Sequence, residues 1–314
     1  MVEVAQHLKG RDFVRIGTWN SDELKTALDL ADELKELRKQ GEAHELLPGR
    51  TLGMIFQKPS TRTRVSFEVG IFELGGHGLY LSANDLQLGR GETIRDTGHV
   101  LERYLDAIMI RTFAQEDVEE LAEHAEIPVI NGLTDYAHPC QALADLMTIR
   151  ERLGRLSGAR LAYLGDGNNV CVSLMVGAAR FGMRFVAATP AGYEPDSTAV
   201  NAARRAAVQM GGTVELVGDP REAAREADVL YTDVWTSMGQ EEESERRRKD
   251  LAGFQIDDAL LSEASPDAIV LHCLPAHYGE EITEEVLYGP HSAVWDQAEN
   301  RLHAQKALLA LIVS

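Results

Sequence analysis

The stretch PSTRTRVSFE sets Arg62 and Arg64 two residues apart, beside Ser60, Thr61 and Thr63, just after a hydrophobic run. Ser and Thr are favoured helix N-caps, so one reading is a capped helix start carrying solvated arginines. The other reading follows from electrostatics. A helix start offers unpaired backbone N–H groups and partial positive charge, which disfavours cations unless an anion is present. Arginines, hydroxyls and free amides gathered at one helix start make a cradle for a phosphate.

Further clusters carry groups able to act beside such a ligand. Arg111, at the end of AIMIRT, reads either as half of a structural ion pair or as a further cation for a phosphate. In HPCQ, His138 and Gln141 sit one turn apart at a helix start, so both can face one ligand. A neutral His and a Gln amide can donate to a carbonyl oxygen as it gains charge; the plainer reading is a helix cap. In HCLP, Cys273 reads as a nucleophile, a hydrogen-bonding partner or a packing residue. Asp233, in YTDVWTSMG, can neutralise an ammonium group or cap the next helix. His138, Cys140, His272 and Cys273 lack the spacing of a zinc motif, and no metal is expected. LGDGNNV has Gly165 and Gly167 of a dinucleotide-binding turn but Val170 in place of the third small residue. The next strand, RFVAATP, ends without the acid a ribose needs, so a nicotinamide cofactor is disfavoured and none is expected. Asn168 and Asn169 there read as amides for a small polar ligand or as turn formers.

These clusters need elements to hold them. The chain has 314 residues, 44% hydrophobic, which is long for one core and comfortable for two domains. SDELKTALDLADELKELRKQ reads as a helix behind a Ser cap with acids in its first turn. Strand and helix patterns then alternate from TLGMIFQ to IPVING, and HPCQALADLMTIRERLGRL reads as a helix that bridges two domains. The alternation restarts at ARLAYLGD and runs to AIVLHCLP, before a C-terminal helix, AENRLHAQKALLALIV, packed back on the body. The expected fold is α/β: two α/β domains, each with a central, mainly parallel sheet flanked by helices. The charged piece QEEESERRRKD, residues 240–250, reads as a mobile surface loop. In such sheets ligands bind beyond the carboxyl ends of strands. KPSTRTR, IRTF, HPCQ, GDGNN, DVWTSMG and HCLP all fall there, which predicts an enzyme with its active site in the interdomain cleft.

The formal charge of −19 argues against non-specific nucleic-acid binding, so an anion site must be built locally from arginines. No apolar run is long enough to span a bilayer, and MVEVAQHLKGRDF has no signal-peptide pattern. Three widely spaced cysteines do not read as a disulfide framework. A cytoplasmic protein is expected.

Taken together, STRTR, HPCQ, GDGNN, DVWTSMG and HCLP resemble the transcarbamoylase family, in its ornithine-directed branch, from about Leu8 to the C-terminal helix. The resemblance implies a carbamoyl phosphate-binding domain over residues 1–137, joined by helix 298–314, and an ornithine-binding domain over 138–297. It implies transfer of the carbamoyl group of carbamoyl phosphate to the δ-amine of L-ornithine, giving L-citrulline and phosphate. Carried over by position, Ser60, Thr61, Arg62 and Thr63 hold the phosphate, Arg111, His138 and Gln141 hold the phosphate and carbamoyl ends, and Arg301 adds a further contact. Gln87, in NDLQLG, matches a residue sent into a neighbouring subunit, implying a homotrimer with shared sites. Asn169, Asp233, Ser237 and Met238 match ornithine contacts, while Cys273 and Leu274 line the reaction centre. The implied catalytic set is Arg111, His138, Cys273 and Asp233. The chain departs from the family pattern at Gln57, Val172 and Tyr278, none of them a ligand position. The same chemistry serves arginine synthesis and arginine breakdown, and the sequence marks neither direction.

Overall fold

The computed structural model describes residues 5–83, 85–237, 239 and 241–313. Met238, one of the expected ornithine contacts, lies outside the described residues. Contacts divide the chain into two units, Met1–Met147 with Glu299–Ser314, and Thr148–Ala298.

The first unit opens with α1 (Ser21–Gln40), whose cap is Asn20 rather than the expected Ser21. The Asn20 side chain accepts from Asp22 N and Glu23 N at 2.9 and 3.0 Å, and Glu23 returns a carboxylate to Asn20 N at 2.8 Å. That reciprocal box satisfies helix-end donors that an isolated Ser would leave to water. The strands β1 (Thr51–Phe56), β2 (His77–Ser82), β3 (Ala107–Arg111) and β4 (Val129–Leu133) form a parallel sheet in the order β2-β1-β3-β4. Crossovers run through α2 (Thr61–Glu73), α3 (Ile94–Leu101) and α4 (Gln115–His124). β1 and β3 are covered on both faces, which is why TLGMIF and AIMIR are nearly continuous apolar runs. Ile55, Ile108, Ile110 and Val129 meet Val118 and Leu121 of α4 in one core. Each such side chain stabilises the unit by roughly 1.5–3 kcal/mol relative to its exposed state. β2, one of the two outer strands, stays partly exposed, whereas β4 at the other edge is almost wholly buried.

Helix α5 (Pro139–Leu153) begins where the sequence predicts a domain boundary, and the contact boundary falls inside it, after Met147. The second unit is a parallel sheet of β5 (Arg160–Leu164), β6 (Arg184–Ala188), β7 (Thr213–Val217), β8 (Val229–Thr232) and β9 (Ile269–His272), in the order β7-β6-β5-β8-β9. The intervening helices are α6 (Asn169–Arg180), α7 (Ser197–Met210), α8 (Pro220–Ala224), α9 (Ser244–Leu251) and α10 (Asp258–Leu261). Then follow α11 (Glu284–Leu287) and α12 (Val294–Val313), which carries the chain back into the first unit.

Of the segment expected to be a mobile loop, Gln240 lies outside the described residues, and the remainder forms a short 3-10 turn, Glu241–Glu243, and α9. Its charge is not all solvated. Arg247 is buried and bonds Asp166 at 2.7 Å, the Trp235 carbonyl at 3.2 Å and Glu243 at 3.1 Å, while its guanidinium lies 5.3 Å from the Tyr193 ring centre. Burial works against this cation, and the charges of Asp166 and Glu243 more than offset it. A buried, multiply bonded cation and the buried Leu251 give a polar run its reason to fold.

Both sheets reverse their winding at one point. In the first unit the chain leaves β1 toward β2 on one side and β3 on the other; in the second, β6 and β8 flank β5. Crossovers diverging from such a point leave a crevice at the carboxyl ends of its strands. The residues that follow β1 and β3 are the STRTR stretch and the end of IRT; those that follow β5, β8 and β9 are GDGNN, Asp233 and Cys273.

Candidate active site

In the first unit, Ser60 caps α2 and accepts from Thr63 N at 3.2 Å. Thr61 is the exposed first residue of the helix and Arg62 is half-buried beside it. Arg111 ends β3, buried, with its carbonyl accepting from Gln57 N at 2.9 Å. Thr112 Oγ1 lies 2.7 Å from Gln57 Oε1, so an amide oxygen fills this place without adding a second anion next to Asp117, 3.0 Å from the same hydroxyl. Lys58 is also buried, paired with Asp135 and 4.3 Å from the Phe113 ring centre. It pins the stretch before α2 to the segments that follow β3 and β4.

Arg301, on α12, completes the cluster from far along the chain. It donates to Gln141 Oε1 at 2.8 Å, to Thr63 Oγ1 at 3.2 Å and to Gln305 Oε1 at 3.0 Å. Gln305 in turn donates to Ser66 Oγ at 2.7 Å, which ties α12 to α2. Gln141 donates to Asp145 Oδ1 at 2.8 Å, one turn along α5. Since Arg301 can only donate and the Asp145 carboxylate accepts, the two bonds decide which way the Gln141 amide faces.

His138 sits among these groups. Burial, then the charges of Arg301, Arg111 and Arg62, hold its pKa well below the ordinary histidine range. The imidazole is therefore neutral at physiological pH, beside three guanidinium groups from α2, β3 and α12. Clustered cations at a helix N-terminus attract a multiply charged anion, and a neutral imidazole can donate one hydrogen bond to a carbonyl oxygen without repelling it.

In the second unit, Asp233 follows β8 and is buried. Its Oδ1 accepts from Val234 N and from the Cys273 thiol, both at 2.8 Å, and its Oδ2 accepts from Asn168 Nδ2 at 2.7 Å. Asn169 is the first residue of α6, partly buried, and Ser237 is partly buried in the segment after β8. Leu274 has φ +60, a left-handed conformation uncommon for a branched side chain. Its N–H is held by His272 Nδ1 at 2.8 Å. With Nδ1 accepting, His272 presents its proton at Nε2, 3.1 Å from Glu281 Oε1. Asp233, His272 and Cys273 place ligand-type atoms within 4.8 Å of one another, but both His272 nitrogens already serve the protein.

The glycines of GDGNN have a packing reason. A Cβ on Gly167 would lie 2.3 Å from Pro195 N and 2.6 Å from Tyr193 O, so the 193–195 backbone occupies the space a side chain would need. Gly165 has φ +124, which other residues rarely adopt.

The structure thus gathers Ser60, Thr63, Arg62, Arg111, His138, Gln141 and Arg301 in one unit, and Asp233 and Cys273 in the other. Gln87 stands apart, exposed in the turn Gln87–Arg90, with no side-chain hydrogen bond to that cluster among the described residues. Reading the sequence missed Lys58, Asp145 and Arg247. Asp145 carried a usable signal, one turn from Gln141 on the same helix face. Arg247 carried none, since it stands in a run of three arginines that only burial tells apart.

Two family descriptions match the chain, the carbamoyl-P binding domain of aspartate/ornithine carbamoyltransferase over residues 11–151 and its Asp/Orn binding domain over residues 157–312. An ornithine carbamoyltransferase of Oceanobacillus iheyensis is 58% identical over 309 residues, covering 98% of this chain and 96% of that one. The anabolic ornithine carbamoyltransferase of Pyrococcus furiosus is 56% identical over 306 residues, covering 98% and 97%. A solved ornithine carbamoyltransferase structure from Pyrococcus furiosus superposes with a TM-score of 0.95 at 55% identity, covering 99% of each chain. Matches that run through both units, with the arginine cluster in one and the Asp233–Cys273 pair in the other, make this chain a member of the aspartate/ornithine carbamoyltransferase family.

Proposed function

We propose that this chain transfers the carbamoyl group of carbamoyl phosphate to the δ-amine of L-ornithine, releasing L-citrulline and phosphate. The observation that carries the reading is the convergence of Arg62, Arg111 and Arg301 on a neutral His138 beside the N-terminus of α2. Ser60, Thr61, Arg62, Thr63, Arg111 and Arg301 take the phosphate, and His138 and Gln141 take the carbamoyl end. The amino-acid head group falls to Asn169, Asp233, Ser237 and Met238, with Cys273 and Leu274 at the reaction centre. Residues 1–137 with 298–314, and 138–297, are the corresponding domains.

The chemistry follows from charge. The δ-amine attacks the carbamoyl carbon as the neutral amine, having given its ammonium proton to solvent. The proton that the nitrogen sheds as the C–N bond forms leaves with the departing phosphate. Negative charge then gathers on the carbamoyl oxygen, where His138 and the Thr63 hydroxyl donate, and the arginines stabilise the departing phosphate. Neither step calls on a cofactor or a metal.

The working assembly in this proposal is a cytoplasmic homotrimer with Gln87 given to a neighbouring site. Two features support it. β2 is an outer strand with exposed Leu79 and Tyr80, and α2 beside it exposes Val65 and Phe72. Apolar surface of this kind on a strand edge and helix face suits a second copy of the chain. All three cysteines are free thiols, in keeping with a reducing compartment. No helix among the described residues is long and apolar enough to cross a membrane.

The test is citrulline formation from carbamoyl phosphate, with ornithine, putrescine, lysine and aspartate offered in parallel. Ornithine-selective product is expected. Product from another amine, or phosphate binding with no product, overturns the acceptor assignment.

A further inference from the structure

We infer that Asn168 is a positioning residue for the amino-acid site, fixing the Asp233 carboxylate through a bond whose direction the helix cap enforces. The inference rests on the proposed ornithine reaction and adds a residue to it. Asn168 Oδ1 accepts from Val170 N at 3.0 Å and Cys171 N at 3.2 Å. Backbone N–H groups only donate, so this atom must be the oxygen, and the amide nitrogen must face the other way. It faces Asp233 Oδ2 at 2.7 Å. Tyr163, fully buried, adds its hydroxyl to Oδ1 at 3.1 Å and holds the side chain from the β5 side.

The amide therefore has no freedom to flip, and its donor is committed to one carboxylate oxygen. Val234 N and the Cys273 thiol hold the other oxygen. Three donors from β5–α6, β8 and β9 aim the remaining lone pairs of Asp233, the ones available to an ammonium group. Asn is a natural helix cap, and so are Asp and Ser. Only Asn both caps α6 and donates to Asp233. Asp caps but turns a second carboxylate on Asp233, and Ser caps without reaching it.

That difference separates a positioning role from a structural one. Asn168→Asp and Asn168→Ser are compared with wild type for melting temperature, for KM of each substrate and for kcat. Both variants should fold, melting close to wild type because the cap is kept. Asn168→Asp should lower kcat/KM for ornithine by about 100-fold and Asn168→Ser by about 10-fold, the range expected for a lost hydrogen bond to a charged group. KM for carbamoyl phosphate should stay within about twofold in both. Ornithine kinetics within about twofold of wild type in Asn168→Asp, or equal rises in KM for both substrates, overturns the inference. If Asn168→Asp fails to fold, Asn168→Ser alone carries the test with the same two outcomes. A wild-type chain that makes no citrulline instead defeats the proposed reaction, so the two failures are distinguishable.

Discussion

Arg62 stands at a helix end that disfavours cations, within the field of Arg111 and Arg301. Like charges brought together repel, and an anion bound between them relieves that repulsion. Arg62→Ala should lower turnover by about 100-fold, since it removes a donor that stabilises developing charge. Citrulline production at saturating substrate measures this. Turnover within a few-fold of wild type would leave the opening stretch as a capped helix start and nothing more. His138 shows the same field acting on a neutral group, because adding a proton there would put a fourth positive charge in a buried place. Arg62, Arg111 and His138 were legible in the sequence as residue types. The protonation state of His138 was not, because it depends on charges supplied by α2, β3 and α12.

At the scale of elements, α12 is unusual for the charge it buries. Arg301, His303 and Lys306 are all buried on it, with Lys306 donating to Glu73 at 2.7 Å and lying 2.8 Å from His44 Nε2. Burial pushes Lys306 below its ordinary range while Glu73 opposes the shift. Burial, followed by the charges of Lys306, Lys35 and Arg38, pushes His303 down to about 3. The consequence for stability has a definite sign. In the unfolded chain His303 takes a proton near pH 6.5, whereas in the fold it stays neutral until about pH 3. The unfolded state binds more protons through that window, so stability falls as pH drops below about 6.5, by at most about 1.4 kcal/mol per pH unit. His138 adds in the same direction. Melting temperature recorded from pH 7 to pH 4.5 should fall, and His303→Leu should flatten part of the slope. An unchanged slope in that variant would show that His303 is not a source of acid lability. The helix itself was legible as an apolar C-terminal segment. Its role as carrier of Arg301 entered only by resemblance, since nothing local distinguishes Arg301 from a surface arginine.

For the whole molecule, the proposed trimer makes a prediction that a monomeric enzyme does not. If Gln87 serves a neighbouring site, a subunit lacking Gln87 and a subunit lacking Asp233 can together assemble sites with both residues intact. Gln87→Ala and Asp233→Asn chains, each nearly inactive alone, should regain activity when coexpressed and purified through two different tags. Mixed assemblies no more active than either parent would refute shared sites. The exposed position of Gln87 in the turn after β2, outside the arginine cluster, is what makes the experiment informative.

The sequence alone determined the order of the strands and of the longer helices, the parallel sheets and the strand ends that carry polar clusters, but not the short helices α8 to α11. These follow from local chemistry, namely apolar runs of strand length, helical periodicity, and caps and glycines placed between them. It also held Arg62, Arg111, His138, Gln141, Asp233 and Cys273 as candidate residue types, while Gln87, Ser237, Met238, Leu274 and Arg301 entered only by resemblance. Tertiary structure decided the rest. It folded residues 241–251 around the buried Arg247 where the composition reads as a solvated loop. It gave Asn168 a direction the sequence left open between ligand contact and turn former. It brought Arg301 to Gln141 across 160 residues of chain. Burial, the aim of a hydrogen bond and the field at a titrating group depend on what packs from elsewhere in the fold, and a residue's neighbours in sequence do not supply that.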